Sequence, residues 1–588
     1  MNEMRRSVLA RLAGVALGGT TLAGFKGALA DEMSANVLKT IPGTGTSIKQ
    51  FGATGNGVSD DTAAFQAAAN AGGRFVVPPG TYVVSHVSMT KSAHFVCAPG
   101  SMFKRKAGTD AQSGSYWSAG AAMFEVDAPG LTIGFTGNPV YDGNRENQVQ
   151  VEPTGFFLKT HPSAVITGAP TNIILENAVF RNGTSGYLVF RGDNVQTRYE
   201  THVYLRNPSF SDTMIGKGKG DPSTPTALGY APTYVLVMDY VHFNARDFHA
   251  EWTTSLTTGQ YAATALVGTF YGSDYRKSGQ PRVALYGKTT LRGVGRSPAY
   301  YDDRDMQNNG IGAIDMYGKC YSLFVEDIYA VGTRFAAVRA KASISRFSVA
   351  NAQFQDCWRG IEVGASSTGP AVADVVLGNI RFSGGSVPAV DITGTSAGDA
   401  NVKCMINSLY VDGVLTNSER APDAAVLRSY YVDRFTAKSV TLLGAAPQRG
   451  ISLDDVGRSV LQNIRIDKTG QEGIYISGGT AHLVSGFDIR NTGGAGITIA
   501  NNPSVVTVRD GKTFNTVDYG VFGNNRTTHL TVESVNVDRV GGVSRGFYAG
   551  GGDATFNNST AANVATPLMV ERGANKHEVK NSWNAPAD

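Results

Sequence analysis

From about residue 320 onward the chain repeats a six-residue phrase: apolar, any, small or amide, apolar, any, apolar. It reads VEDIYA at Asp327, VANAQF at Asn351, LGNIRF at Asn379, INSLYV at Ser408, AKSVTL at Ser439, LQNIRI at Asn463, VSGFDI at Gly486 and VESVNV at Ser534. Looser copies hold Asp510 and Asn558, and an upstream copy, LENAVF, holds Asn177. From Asp327 the steps between markers are 24, 28, 29, 31, 24, 23, 24, 24 and 24 residues. Roughly ten residues after each marker comes a second apolar-alternating run, as in RGIEV, PAVDI, RGISL, EGIYI and AGITI. Alternation of period two marks half-buried strands, and a fixed repeat of two such strands marks a solenoid whose coils bury their inward residues on one another. The pattern therefore predicts an all-β parallel β-helix, with the Asn, Asp and Ser markers able to hydrogen-bond from coil to coil as a ladder.

Upstream of the repeat stands SIKQFGATGNGVSDDTAAFQAAANAGGRFVVPPGTYVV. GATGNGVSDD reads as a turn-rich loop; Ser59 or Asp60 can cap a short helix over 61–70 with Phe65 on its apolar face, and Gly72-Gly73 stops it. RFVVPPGTYVV then reads as strand, Pro-Pro-Gly turn, strand. This phrase, over residues 47–84, closely resembles the opening of the pectate-lyase-like superfamily of single-stranded right-handed β-helices, which includes polygalacturonase-related hydrolases, polysaccharide lyases, epimerases and tailspike depolymerases. The resemblance implies a right-handed helix with a short N-terminal capping helix; it carries no catalytic residue. On this reading 47–588 is one β-helix domain, with an insertion around 252–300, where the repeat fits poorly, and a C-terminal cap over about 560–588.

The composition suits that architecture. Glycine is in excess, 71 of 588 residues, and scattered as tight turns require. Residues 1–30 carry Arg5, Arg6, Arg11 and Lys26 against Glu3, followed by Ala28-Leu29-Ala30, and read as a cleaved export signal of the twin-arginine type, joined to the body by a linker over 31–46. The expected location is the periplasm or the outside of a bacterial cell, with no membrane attachment after cleavage. Without those thirty residues the formal charge of +4 falls to about +1, which argues against nucleic acid as a partner. Cys97, Cys320, Cys357 and Cys404 have no CxxC or His spacing, so buried free thiols are expected and a metal site is not. No nucleotide or flavin fingerprint occurs, and calcium is the one cofactor left open.

In a solenoid, equivalent positions on neighbouring coils stand about 4.8 Å apart. Aligning the second strands places Asp315, Arg339, Glu362 and Asp391 in one outward column, continued by Ser452, Tyr475, Thr498, Phe522 and Tyr548. Just upstream, YYDDRDM sets Tyr301, Asp302, Asp303, Arg304 and Asp305 at a coil's turn and first strand, with Arg304 in a slot that is apolar in other coils, and broken fold logic marks candidate function. Glycoside hydrolysis uses two carboxyl groups, one donating a proton and one activating water or attacking the sugar. Asp303, Asp315, Asp302, Asp305 and Glu362 are the catalytic candidates, with Arg304, Arg339 and Tyr301 as substrate ligands. The plainer alternative is a solvated ladder of ion pairs.

A second constellation, YVHFNARDFHAEW over 240–252, places Tyr240, His242, Asn244 and Arg246 on one face if Val241 and Phe243 point inward, with His249 close behind. Tyr240, His242, Arg246 and His249 suit a sugar-binding wall, or a β-eliminating centre acting on a uronate. The expectation is an exported enzyme that depolymerises a polysaccharide. Hydrolysis is preferred to β-elimination or uronate epimerisation because the broken register is rich in acids, and a non-catalytic glycan-binding or adhesion protein is the alternative from another class.

Overall fold

The computed structural model describes residues 36–583 apart from connecting stretches, the longer of which are 110–121, 149–155, 161–169, 212–232, 254–262, 270–279, 296–311, 365–373, 395–401 and 418–424. The proposed export signal lies outside the described residues, and among them no helix is long and apolar enough to cross a membrane. The chain divides into two compact units, Met1–Tyr300 with Lys319–Tyr329, and Tyr301–Gly318 with Ala330–Asp588. Each consists of parallel strands stacked coil on coil.

In the first unit Thr171–Glu176, Thr201–Arg206, Val241–Arg246 and Arg282–Arg292 pair in parallel, so that Ile173, Val203, Phe243 and Val283 stack inward in one row. A second sheet runs through Val87–Met89, Ala122–Val126, Phe156–Thr160, Gly186–Phe190, Thr233–Val237 and Thr264–Gly268. Between the two segments of the first sheet the backbone bends at Asn177, Asn207, Asp247 and Gly287, all left-handed with φ between 51° and 62°. Asn and Gly tolerate that conformation best. Asn207 Nδ2 donates to Asn177 Oδ1 at 3.1 Å, so the amide ladder forms. The core is aromatic: Phe95 stacks on Phe135 at 5.0 Å and Phe180 on Phe210 at 4.7 Å. Each such ring withdrawn from water contributes roughly 2–3 kcal/mol.

The expected helix forms at Thr62–Ala71. Asp60 accepts from Thr62 N at 3.0 Å, and Phe65, fully buried, meets Tyr82, Phe95, Phe103 and Phe124 edge-on or tilted. Asp61 makes no cap; its carboxylate takes Thr54 N at 2.6 Å and Thr54 Oγ1 at 3.0 Å, tying down the glycine-rich loop. Part of the stretch read as loop, Asn56–Asp60, is a strand beside Gly80–Val84.

In the second unit the predicted register of the marker strands holds from Asn351 to Asn558. Asn351, Asn379 and Ser408 are in register, and the pairs flanking Ser439, Asn463, Gly486, Asp510, Ser534 and Asn558 align those markers in turn. Asn379 Nδ2 donates to Asn351 Oδ1 at 3.0 Å. The outward row Gln353, Arg381, Tyr410, Thr441, Arg465, Asp488, Lys512 and Asn536 also follows the expected order.

Two expectations change. The stretch 252–300 holds the regular strands Thr264–Gly268 and Arg282–Arg292, so its described residues are coil rather than insertion; long connections had hidden the period. Near the C-terminus Thr560–Ala562, Asn575–Val579 and Ser582–Trp583 continue the pairing, with Trp583 set edge-on to Phe547 and Phe556. All four cysteines are free and buried, as their spacing implied.

Candidate functional site

The predicted column assembles in the second unit. Asp315 pairs with Arg339, Arg339 with Glu362, and Glu362 with Asp391 on successive coils. The next coil contributes Arg428, which the sequence reading passed over because AAVLRSYY lacks the glycine-apolar cue, and then Ser452. The column is less open than expected. Asp315 and Arg339 are buried, at 0% and 1% side-chain exposure, and Glu362 reaches 14%.

Arg339 Nη1 lies 3.5 Å from Asp315 Oδ2 and its Nε 3.4 Å from Glu362 Oε1, so the guanidinium occupies the gap between the two carboxylates. Arg359 Nη1 lies 2.8 Å from Glu362 Oε2, and Arg428 grips Asp391 with two bonds, Nε–Oδ1 at 3.1 Å and Nη2–Oδ2 at 2.5 Å. Phe335 lies under both Arg339 and Arg359. Burial works to raise the Asp391 pKa, but the charge and hydrogen bonds of Arg428, helped by Arg359, hold it below the usual carboxylate range. These acids are thus matched to arginines, and Asp391 is held ionised. Tyr301, Asp302, Asp303, Arg304 and Asp305 lie outside the described residues.

A different balance exists in the first unit, at residues the sequence reading did not single out. Ser88, Glu125 and Lys159 form the outward column of three successive coils. Lys159 Nζ lies 2.5 Å from Glu125 Oε1, with the lysine side chain fully buried, and His86 Nε2 lies 3.2 Å from Glu125 Oε2. Two residues beyond Glu125, just past the strand end, Asp127 accepts a short hydrogen bond from Ser88 Oγ. Burial is the largest influence on Asp127 and, with the neighbouring Glu125 charge, raises its carboxyl above the usual range. The capping helix fixes this wall: Gln66 accepts from Ser88 N at 2.9 Å and donates to Ser88 O at 3.0 Å. A separation of thirty-four positions between Glu125 and Lys159 kept the pair from being seen in the sequence.

The histidine face is also in the first unit. His242, Asn244 and Arg246 point outward as expected, while Tyr240 does not: it is buried, in a left-handed bend before the strand, where it cannot reach a ligand on that face. His249 stands beyond the bend at Asp247, 3.5 Å from Glu251. In register with His242 one coil back is His202, and their rings stack at 5.0 Å and 25°. Both face Glu200: His202 Nε2 is 3.1 Å from Oε2 and His242 Nε2 3.7 Å from Oε1. Burial, with the charges of His202 and Arg282, lowers the His242 pKa to about 4 despite Glu200. On the following coil Arg282 is in register with His242 and lies over the Tyr321 ring at 4.5 Å.

Two family models match the chain: "Rhamnogalacturonase A/epimerase, pectate lyase-like" over residues 45–217, and "Right handed beta helix region" over 337–537. A search of curated proteins finds no match. Similar solved structures include a mannuronan C-5 epimerase A-module of Azotobacter vinelandii, with 13% identity over 92% of this chain and 100% of that one, TM-score 0.22. A surface adhesin of Streptococcus pneumoniae shows 12% identity over 80% and 92%, TM-score 0.35. A family 28 exopolygalacturonase of Yersinia enterocolitica shows 11% over 91% and 78%, TM-score 0.32.

Proposed function

From a chain that is a right-handed parallel β-helix of the pectate-lyase-like superfamily, we propose an exported enzyme that cleaves a polysaccharide by glycoside hydrolysis. The observation that carries this reading is the pair Glu125 and Asp127. One carboxyl is paired with Lys159 and lies against His86, and the other has its pKa raised by burial and by the neighbouring Glu125 charge. A carboxylic acid beside a carboxylate is the division of labour hydrolysis needs: Asp127 protonates the departing glycosidic oxygen while Glu125 acts on water or on the sugar. In the arginine-matched column of the second unit the pKa of Asp391 is lowered, so that column's part in this reading is to stiffen the sheet, with Asp302, Asp303 and Asp305 kept as a second candidate group.

Incubation of the chain with a panel of plant and bacterial polysaccharides tests this. New reducing ends without ultraviolet absorbance support hydrolysis; an absorbing unsaturated uronate transfers the reading to β-elimination. Loss of turnover in Asp303→Asn, with Asp127→Asn active, moves the site to the second unit.

A non-catalytic reading is favoured by one observation. The outward column of the second unit carries rings toward its C-terminal end, with the half-buried Phe522 stacked on the buried Tyr548 at 4.8 Å and the half-buried Tyr519 4.6 Å from Phe522, an aromatic edge against which a sugar can stack. Binding of a glycan without any new ends would establish it.

A further inference from the structure

We propose that Glu200, His202 and His242 form a binding site for a borderline divalent transition metal ion such as zinc, with a coordination position left for water or an anionic oxygen. This goes beyond the hydrolytic reading and does not depend on it. Two strands in direct register, Thr201–Arg206 and Val241–Arg246, carry the histidines outward while Val203 and Phe243 are buried behind them. The coil spacing sets the rings at 5.0 Å, and Glu200 reaches back across both from the start of its strand.

The three donor atoms all lie within 4.8 Å of one another. An ion bonded at 2.0–2.2 Å to tetrahedral nitrogen and oxygen donors needs them about 3.4 Å apart; the two oxygens of Glu200 stand at comparable distances from the rings, Oε2 3.1 Å from His202 Nε2 and Oε1 3.7 Å from His242 Nε2. His242 Nε2 is shielded from solvent and, among the described residues, has no hydrogen-bond partner, since 3.7 Å is too long for one. A shielded imidazole nitrogen turned toward a carboxylate, with no hydrogen-bond partner among the described residues, is a donor atom aimed into the site. Two nitrogens and one oxygen select zinc-like ions over calcium, which takes oxygen ligands in larger number. Arg282, in register on the next coil, supplies positive charge beside the open position and favours an anionic fourth ligand.

The test uses the full chain without a histidine tag, stripped with a chelator and titrated with zinc chloride by calorimetry, with cobalt chloride followed by visible absorbance. The expected result is one zinc equivalent per chain, undisturbed by millimolar calcium, and a cobalt band of low-symmetry coordination. His202→Ala and His242→Ala each weaken zinc binding by at least about tenfold, as loss of a direct ligand should exceed loss of an outer partner. Glu200→Gln, at an exposed position that the fold does not need, does the same and decides the matter if a histidine variant fails to fold. No zinc binding by the parent chain, or unchanged binding in Glu200→Gln, overturns the proposal.

Discussion

Asp127 and Asp391 carry the same side chain with opposite fates, because one is buried beside a carboxylate and the other beside a guanidinium. For Asp127 the raised pKa means that the protonated form persists above the usual carboxylate range. The pH profile of kcat/KM is expected to keep its activity past that range and to fall as pH rises through the raised value; a profile already lost at ordinary aspartate pH contradicts the assignment. For Asp391 the folded pKa is lowered, so the pair with Arg428 stabilises fully above the ordinary value of about 4 and loses that contribution as pH falls through the folded value. Arg428→Ala leaves a nearly buried carboxylate, 5% exposed, without its main partner and is expected to cost about 3 kcal/mol in urea unfolding at neutral pH, less in acid. The sequence around the two residues shows only part of the difference: FEVDA carries Glu125 beside Asp127, but the burial of Asp127 and the Arg428 that holds Asp391 in AVDIT come from neighbouring coils.

The legibility of the strands followed the length of their connections. Where coils run at 24 residues, from Ser439 to Asn558, every marker and every outward position falls where the period puts it. In the first unit the markers Asn177, Asn207, Asp247 and Gly287 stand thirty and forty residues apart, so the ladder, the His202–His242 pair and the strands within 252–300 were hidden although each strand keeps its alternation. The capping helix was readable because its signals are local: an acceptor at Asp60, alanines, Phe65 and the Gly-Gly stop. Phe65→Ala empties a site lined by four rings and is expected to destabilise the first unit by about 3–5 kcal/mol, read as a lower melting temperature in calorimetry. Gln66→Ala, which releases Ser88 while leaving that core filled, is expected to lower kcat with little change in melting; an unchanged kcat argues that the Ser88 to Asp127 contact has no part in turnover.

At the scale of the whole chain, stacking converts intervals of two to four dozen residues into neighbours, and both charged columns exist only because of it. Within that frame the acids of one column are matched by arginines, while beside the other Asp127 has its pKa raised by burial and by Glu125, and the proposed chemistry is placed at the second. The most direct measurement is the turnover of one cleaved polysaccharide by the parent chain, Asp127→Asn and Asp315→Asn under identical conditions. Asn removes the charge of a carboxyl whose ionised form burial already disfavours, so Asp127→Asn is predicted to melt like the parent while its kcat falls at least about a hundredfold. Asp315→Asn is predicted to melt lower while its kcat is kept, and the reverse pattern, full turnover in Asp127→Asn with none in a folded Asp315→Asn, contradicts the account.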